Sequence, residues 1–187
     1  MKQTLQFFRK FQMVFSIIVF FIVFFICYFT TGFSITEIQL SKWGITEQVS
    51  WLWNSCLVML GMSCFFNIYH YIKLHSHLNF KKQFLYLFLF QCINIMFLGL
   101  VVSGSILHNI VAYIYFFTLP LSIYLFAFLN KNRMLFNEWI KHTILSSLMM
   151  GLPLITFFIF PGKAISEILH SLIFIIWNIY ILKDNTL

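Results

Sequence analysis

Residues Ile17–Ile26 read IIVFFIVFFI, an unbroken apolar run within a longer apolar segment, Phe11–Thr30. A strand of a membrane β-barrel alternates apolar and polar residues, whereas a helix surrounded by lipid is apolar on every face. As a helix, about 20 such residues cross the hydrocarbon core of a bilayer. The run therefore predicts a transmembrane helix.

Five further segments have similar length and character: Ser50–Ile72, Gln83–Val102, Ile106–Leu129, Thr143–Phe160 and Ile165–Leu182. The chain of 187 residues is 61% hydrophobic and 9% charged, whereas soluble domains average about 45–50% apolar and about 25% charged residues. This composition excludes a disordered chain and argues against a water-soluble fold. We predict an all-α polytopic membrane protein, a bundle of six transmembrane helices that forms one domain over residues 1–187.

Basic residues are distributed unequally between the two sides that six spans would create. All but two of the 12 Lys and Arg residues fall at the termini or in the second and fourth loops, and the exceptions are Lys42 and Lys163. Cytoplasmic loops carry the excess of Lys and Arg, so we expect both termini in the cytoplasm. Abundant Phe, Ile, Asn and Lys indicate an AT-rich genome, and we expect a bacterial inner membrane. The basic clusters at helix ends are typical of contact with anionic headgroups, so nucleic acid is not an expected partner.

Polar side chains recur near the outer ends of the second, fourth and sixth segments, namely Asn54, His108, Asn109, Glu167 and His170. Polar groups inside a bilayer are costly and usually face the bundle interior or a water-filled cavity. Glu167 and His170 share one helix face, because they are three residues apart. We expect His170 to meet His108, and Glu167 to orient one imidazole. The five residues form the predicted ligand-binding pocket in the outer leaflet; the alternative is that headgroups and water solvate them at the interface.

Other aromatic and polar residues have a structural interpretation. Three tryptophans of the first outer loop and the start of the second segment are expected at the level of the headgroups: Trp43, Trp51 and Trp53. Amides deeper in the spans are expected to form hydrogen bonds between helices: Asn67, Gln91, Asn94 and Asn178. Pro120 and the Gly151/Pro153 pair predict kinks.

Few residues are available for catalysis or metal binding. The chain has one Asp, Asp184, no C-x-x-C pair and one loose histidine cluster, His70, His75 and His77. We therefore favour a role that is not enzymatic, with no cofactor and no metal site. One alternative is electron transfer by two b-type haems, held by His108 with His170 at the outer face and by His70 with His142 at the inner face.

The order of polar and aromatic residues resembles that of a known group. Trp51-Leu52-Trp53-Asn54 opens the second segment, and Leu107-His108-Asn109-x-x-Ala112-x-x-x-Phe116 opens the fourth. This layout, over Phe11 to Leu182, resembles the DRAM/Sfk-like membrane proteins and their bacterial six-span relatives of unknown function. The chain departs from them in its few glycines and many phenylalanines. The resemblance implies a non-enzymatic six-helix bundle with a polar site in the outer leaflet, in a group associated with lipid organisation and membrane trafficking.

These observations lead to one functional expectation and three alternatives. We expect a non-catalytic integral membrane protein that binds a lipid or small amphiphile, or docks a partner, at the outer-leaflet pocket. The first alternative is an accessory subunit of a larger membrane complex, with other membrane subunits as partners. The others are the haem protein and a substrate-binding subunit of a vitamin-type transporter, which the 7 glycines disfavour because such proteins are rich in Gly and Ala.

Overall fold

All six apolar segments are helical in the computed structural model, which describes residues 2–74 and 82–183. The long helices are α1 (Lys2–Thr31), α2 (Ser50–Leu74), α3 (Lys82–Leu100), α4 (Ile106–Leu129), α5 (Phe136–Ile159) and α6 (Ala164–Lys183). Short 3-10 helices, Leu40–Ile45 and Lys131–Arg133, lie in two of the loops. Since these two described ranges contain no strand, the predicted all-α class is confirmed.

Five of the six long helices, all except α3, are long and apolar enough to cross a membrane. The apolar part of α3 within the described residues is shorter, Tyr86–Leu100. These helices support a multi-pass integral membrane protein. The number of crossings and the side of the membrane on which each end of the bundle lies stay predictions. We call the end of the bundle that carries residues 32–49 its outer end, and this segment the first outer loop.

Two helices begin earlier than hydropathy predicted. Helix α5 starts at Phe136 rather than Thr143, and α1 starts at Lys2 rather than Phe11. At α5 the added turns are polar, and the Glu138 Oε2 accepts a hydrogen bond from the Leu135 N–H at 3.2 Å, which satisfies a backbone donor at the helix start. Hydropathy marks where lipid contact begins, and a helix continues past that point wherever its ends are capped or solvated.

Helices that are consecutive in the chain are neighbours in space, and α2 also contacts α6. The helices α2 to α6 therefore form a closed ring, and α1 packs against α2. Three of the four predicted amides join helices: the Asn67 Nδ2 donates to the Asn178 Oδ1 at 3.1 Å between α2 and α6, and the Gln91 Nε2 donates to the Thr118 Oγ1 at 2.6 Å between α3 and α4. Asn94 instead donates to the Gln91 Oε1 of its own helix at 3.4 Å.

Glycines allow α2 and α3 to pack at short distance. A Cβ atom at Gly99 would lie 2.5 Å from the Asn54 carbonyl oxygen, and one at Gly61 would lie 2.6 Å from the Met96 Cγ. Small residues of this kind let the backbones of membrane helices approach closely. The contact fixes the outer end of α2, which carries Asn54.

The first outer loop is bound to the turn between α5 and α6. The Gly162 N–H donates to the Thr36 carbonyl and the Ala164 N–H donates to the Ile38 carbonyl, each at 2.9 Å. Gly162 has no space for a side chain, because a Cβ there would lie 2.5 Å from the Ile38 oxygen and still closer to the Glu37 carbonyl carbon. We call this pairing of residues 36–38 with residues 162–164 the loop clasp.

The structure corrects the placement of two tryptophans. Trp43 is fully buried, its ring centroid 5.3 Å from that of Phe24 and 5.0 Å from that of Trp53, and its Nε1 donates to the Thr31 Oγ1 at 3.0 Å. Trp53 is 3% exposed, whereas Trp51 is 69% exposed. Trp43 and Trp53 are therefore core residues, and of the three only Trp51 is placed on the surface, where a membrane-interface residue belongs.

Candidate functional site

A cavity of about 380 Å³ lies between the outer halves of α4, α5 and α6. Its walls come from the first turns of α4 and α6, from the second half of α5 and from the first outer loop. Exposed residues of α4 and α5 form its mouth, among them Phe117 and Phe158, which are 57% and 79% exposed. The cavity is therefore open on the side where α4 and α5 expose apolar residues.

Four of the five predicted pocket residues line this cavity: His108, Asn109, Glu167 and His170. The fifth, Asn54, lines two other pockets: one of about 70 Å³, which His108 and Glu167 also border, and one of about 590 Å³ between α1 and α2. Its Nδ2 donates to the Gly44 carbonyl at 3.1 Å, so it holds the first outer loop. The structure thus brings four of the predicted residues to one cavity, and Asn54 lies outside it.

His108 is held against the turn that precedes α4. Its Nδ1 lies 3.2 Å from the Val101 carbonyl oxygen, and its backbone N–H donates to the Ser105 Oγ, which caps the helix. No hydrogen bond or ring contact joins His108 to His170 among residues 2–74 and 82–183. The two imidazoles therefore line one cavity without the direct contact that we expected.

Glu167 binds the first outer loop instead of orienting an imidazole. Its Oε2 accepts from the Leu40 N–H at 2.6 Å, and the Ser41 N–H is a second backbone donor to the carboxylate. These two N–H groups belong to the first turn of the 3-10 helix Leu40–Ile45. The carboxylate therefore compensates backbone donors that have no partner within their own helix. Leu40 and Glu167 are 127 residues apart in the chain, so the spacing of residues along one helix does not predict their contact.

His170 lies beside a carbonyl that a proline leaves without its usual helical partner. In a regular helix the Met149 carbonyl would accept from the N–H of residue 153, but that residue is Pro153, which has no N–H. The buried imidazole of His170 lies close to this carbonyl and packs against Phe116, with ring centroids 4.6 Å apart. Its Nε2 is buried and has no hydrogen-bond partner among the described residues.

Lys163 is a cavity residue that the site prediction missed. Its Nζ lies 3.4 Å from the Tyr113 Oη, and 5.3 Å from the ring centroid of Phe157. The only signal in the sequence was its position as one of two lysines on the predicted outer side. A lysine in a loop between two spans indicates topology, so this position does not by itself predict a ligand-binding residue.

The cavity is more polar at its rim than at its inner end. Its rim carries four polar residues from loops and first helical turns: Gln39, Ser41, Asn109 and Lys163. Its inner end is formed by Met149 and Pro153, which are buried, and by the buried imidazole of His170. Met149 lies about 15 Å along α5 from the outer end of that helix, at about 1.5 Å per residue. The inner end is therefore mostly apolar, with one polar side chain.

The histidines of the inner side do not form a metal cluster in the part of the chain that the structure describes. His142 is buried and its Nδ1 accepts from the Trp177 Nε1 at 2.9 Å, while His75 and His77 lie outside the described residues. Residues 2–74 and 82–183 contain no group of three or more His, Cys, Asp or Glu side chains able to hold a metal ion. The haem alternative stays untested.

Comparison with known proteins adds no family to this picture. No family model, curated protein or solved structure matches the chain. The resemblance to the DRAM/Sfk-like proteins therefore stays a prediction. What the chain itself establishes is an all-α membrane protein with a cavity between α4, α5 and α6.

Proposed function

We propose that this protein binds one lipid or small amphiphile in the cavity between α4, α5 and α6, without catalysis. The observation that carries the proposal is the change in polarity along the cavity wall, from a polar rim to a mostly apolar inner end. An amphiphile from the outer leaflet fits such a wall in its normal orientation, with its headgroup at the rim and its chain against α4 and α5. The volume of about 380 Å³ lies within the range of about 300–1,000 Å³ typical of ligand pockets.

The lining residues favour a flexible apolar ligand. Met149 and Met150 lie on the α5 wall and Phe116 and Phe117 on the α4 wall. Methionine adapts to irregular shapes because it is unbranched and has three rotatable bonds, and aromatic rings supply large apolar contact areas. A wall of this composition accommodates chains that differ in length and unsaturation.

Three polar residues of the cavity, Glu167, His108 and Ser166, are occupied by structural contacts, which favours binding over catalysis. The Glu167 carboxylate holds two backbone N–H groups, and the His108 Nδ1 contacts a carbonyl. The Ser166 Oγ lies 3.0 Å from the Thr156 Oγ1 and joins α6 to α5. A nucleophile needs a base within hydrogen-bonding reach, and none of these contacts pairs a hydroxyl with an imidazole or a carboxylate.

Filling the cavity tests the proposal. Ala112, which lines the cavity on α4, is replaced by Phe, and Val14→Phe on the exposed face of α1 is the matched control. Both variants and the wild type are purified in mild detergent, and retained lipids are counted by native mass spectrometry. We expect the wild type and V14F to keep a tightly bound lipid and A112F to lose it.

Equal retention by A112F, with a thermal unfolding midpoint close to that of the wild type, would rule out this cavity as the binding site. If the wild type retains no lipid but purifies at fixed stoichiometry with a second membrane protein, the accessory-subunit alternative is favoured instead.

A further inference from the structure

Among the residues that the structure describes, the rim of the cavity has one cationic side chain, Lys163, and aromatic groups surround it. The Lys163 Nζ contacts the Tyr113 hydroxyl and lies over the rings of Tyr113 and Phe157, at 5.6 and 5.3 Å from their centroids. Among residues 2–74 and 82–183, no carboxylate forms a salt bridge with it. Aromatic faces attract an ammonium group only weakly at exposed sites, so its charge is not neutralised by a partner.

Glu167 is the acidic residue that lines the same cavity, and its carboxylate is turned to the first outer loop. It lies one helical turn from Lys163 and attracts it through space, but its oxygen atoms receive the Leu40 and Ser41 N–H groups. The carboxyl group thus faces backbone donors on one side of the rim, and the ammonium group stays available to a ligand on the other.

From this arrangement we infer that the amphiphile of the proposed function is anionic, with a phosphate or carboxylate headgroup that binds to Lys163. The inference rests on the proposed function, because it assigns the chemistry of the headgroup to the same cavity. The exposed side chain of Asn109 lines the same rim and supplies an amide donor for a second oxygen of the anion. The chain of the ligand then extends past Phe157 toward Met149.

The test compares headgroups at constant chain composition. The wild type is incorporated into nanodiscs with equal amounts of phosphatidylglycerol and phosphatidylcholine that carry the same acyl chains, and the retained lipid is identified by native mass spectrometry after the nanodisc is released. We expect the wild type to retain the anionic lipid about fivefold over the zwitterionic one, the effect of one lysine near a membrane surface. An arm with oleate as competitor distinguishes a carboxylate headgroup from a phosphodiester.

Two substitutions locate the effect. Lys163→Gln is expected to abolish the preference, and Lys163→Arg to keep it. Lys42→Gln is the matched control, because Lys42 lies in the first outer loop, is exposed and does not line the cavity. Unfolding midpoints of all variants are measured so that a loss of binding is not confused with a loss of structure.

Each outcome has one consequence. A preference that K163Q loses and K42Q keeps supports the inference, whichever of the two anionic headgroups binds more tightly. Equal retention of both headgroups by the wild type overturns the inference but leaves amphiphile binding intact, and so does a preference that persists in K163Q. Loss of all retained lipid in the wild type contradicts the proposed function itself.

Discussion

Gly162→Ala is expected to open the loop clasp without unfolding the helix bundle. A Cβ atom at this position would lie 2.5 Å from the Ile38 oxygen and close to the Glu37 carbonyl carbon. Because the opposing atoms belong to the backbone, a change of rotamer does not relieve the clash. The two segments of the loop clasp therefore separate, and the hydrogen bonds from Gly162 and Ala164 to the first outer loop are lost.

The expected size follows from these two hydrogen bonds. Each contributes a net of about 0.5–1.5 kcal/mol, so local opening becomes easier by about 1–3 kcal/mol, which corresponds to roughly 5- to 150-fold faster amide exchange. Hydrogen–deuterium exchange measured by mass spectrometry, on peptides that cover residues 36–41 and 160–166, reports this change. The amides of Leu40 and Ser41, which donate to Glu167, are expected to lose protection as well.

Gly151→Ala is the matched control, because a Cβ atom there meets nothing within 4 Å and the position lies inside α5. It is expected to leave exchange in both peptides unchanged. If G162A exchanged at the same rate as G151A, the clasp would not be closed by the contact described here, and the reasoning would be refuted.

Two further predictions concern the core and the proline-associated histidine. Trp43→Ala is expected to lower the free energy of unfolding by about 3–5 kcal/mol, because it empties a fully buried site. Trp51→Ala, at a 69% exposed position, is expected to change it by no more than about 0.5 kcal/mol. Chemical denaturation in detergent micelles measures both free energies, and equal effects would contradict the burial of Trp43. His170→Ala is expected to cost about 1–3 kcal/mol, because it removes the buried imidazole that lies close to the Met149 carbonyl. The cost is expected to be smaller in a Pro153→Ala background, where residue 153 regains its N–H. A double-mutant cycle with no coupling would exclude a link between Pro153 and His170.

The helices were predictable because lipid imposes a simple requirement on the chain. Each span needs about 20 apolar residues with internally paired backbone groups, and hydropathy finds such segments directly. The start of α5 was missed because Asn137, Glu138 and Lys141 lower the hydropathy of turns that are nonetheless helical.

The depth of the polar residues was also predictable, but their partners were not. Counting along each span placed His108, Glu167 and His170 near one level, and the structure brings all three to one cavity. Glu167 binds the first outer loop and His170 packs against α5. Both contacts depend on the packing of segments that are distant in the sequence, so the sequence pattern does not show them. The cavity itself depends on the position of α5. The α5 residues that line the cavity are mostly apolar, so they do not predict a ligand-binding site.

The loop clasp also has a consequence for the way the protein is made. The first outer loop leaves the ribosome early, but its partners, Gly162, Ala164 and Glu167, belong to the last helical hairpin and are more than a hundred residues away. Domains and their parts emerge from the N-terminus during synthesis, and contacts between distant residues form after local ones. The rim of the cavity is therefore complete only after the final hairpin has been made and packed, so that a chain whose synthesis stops earlier has no finished cavity.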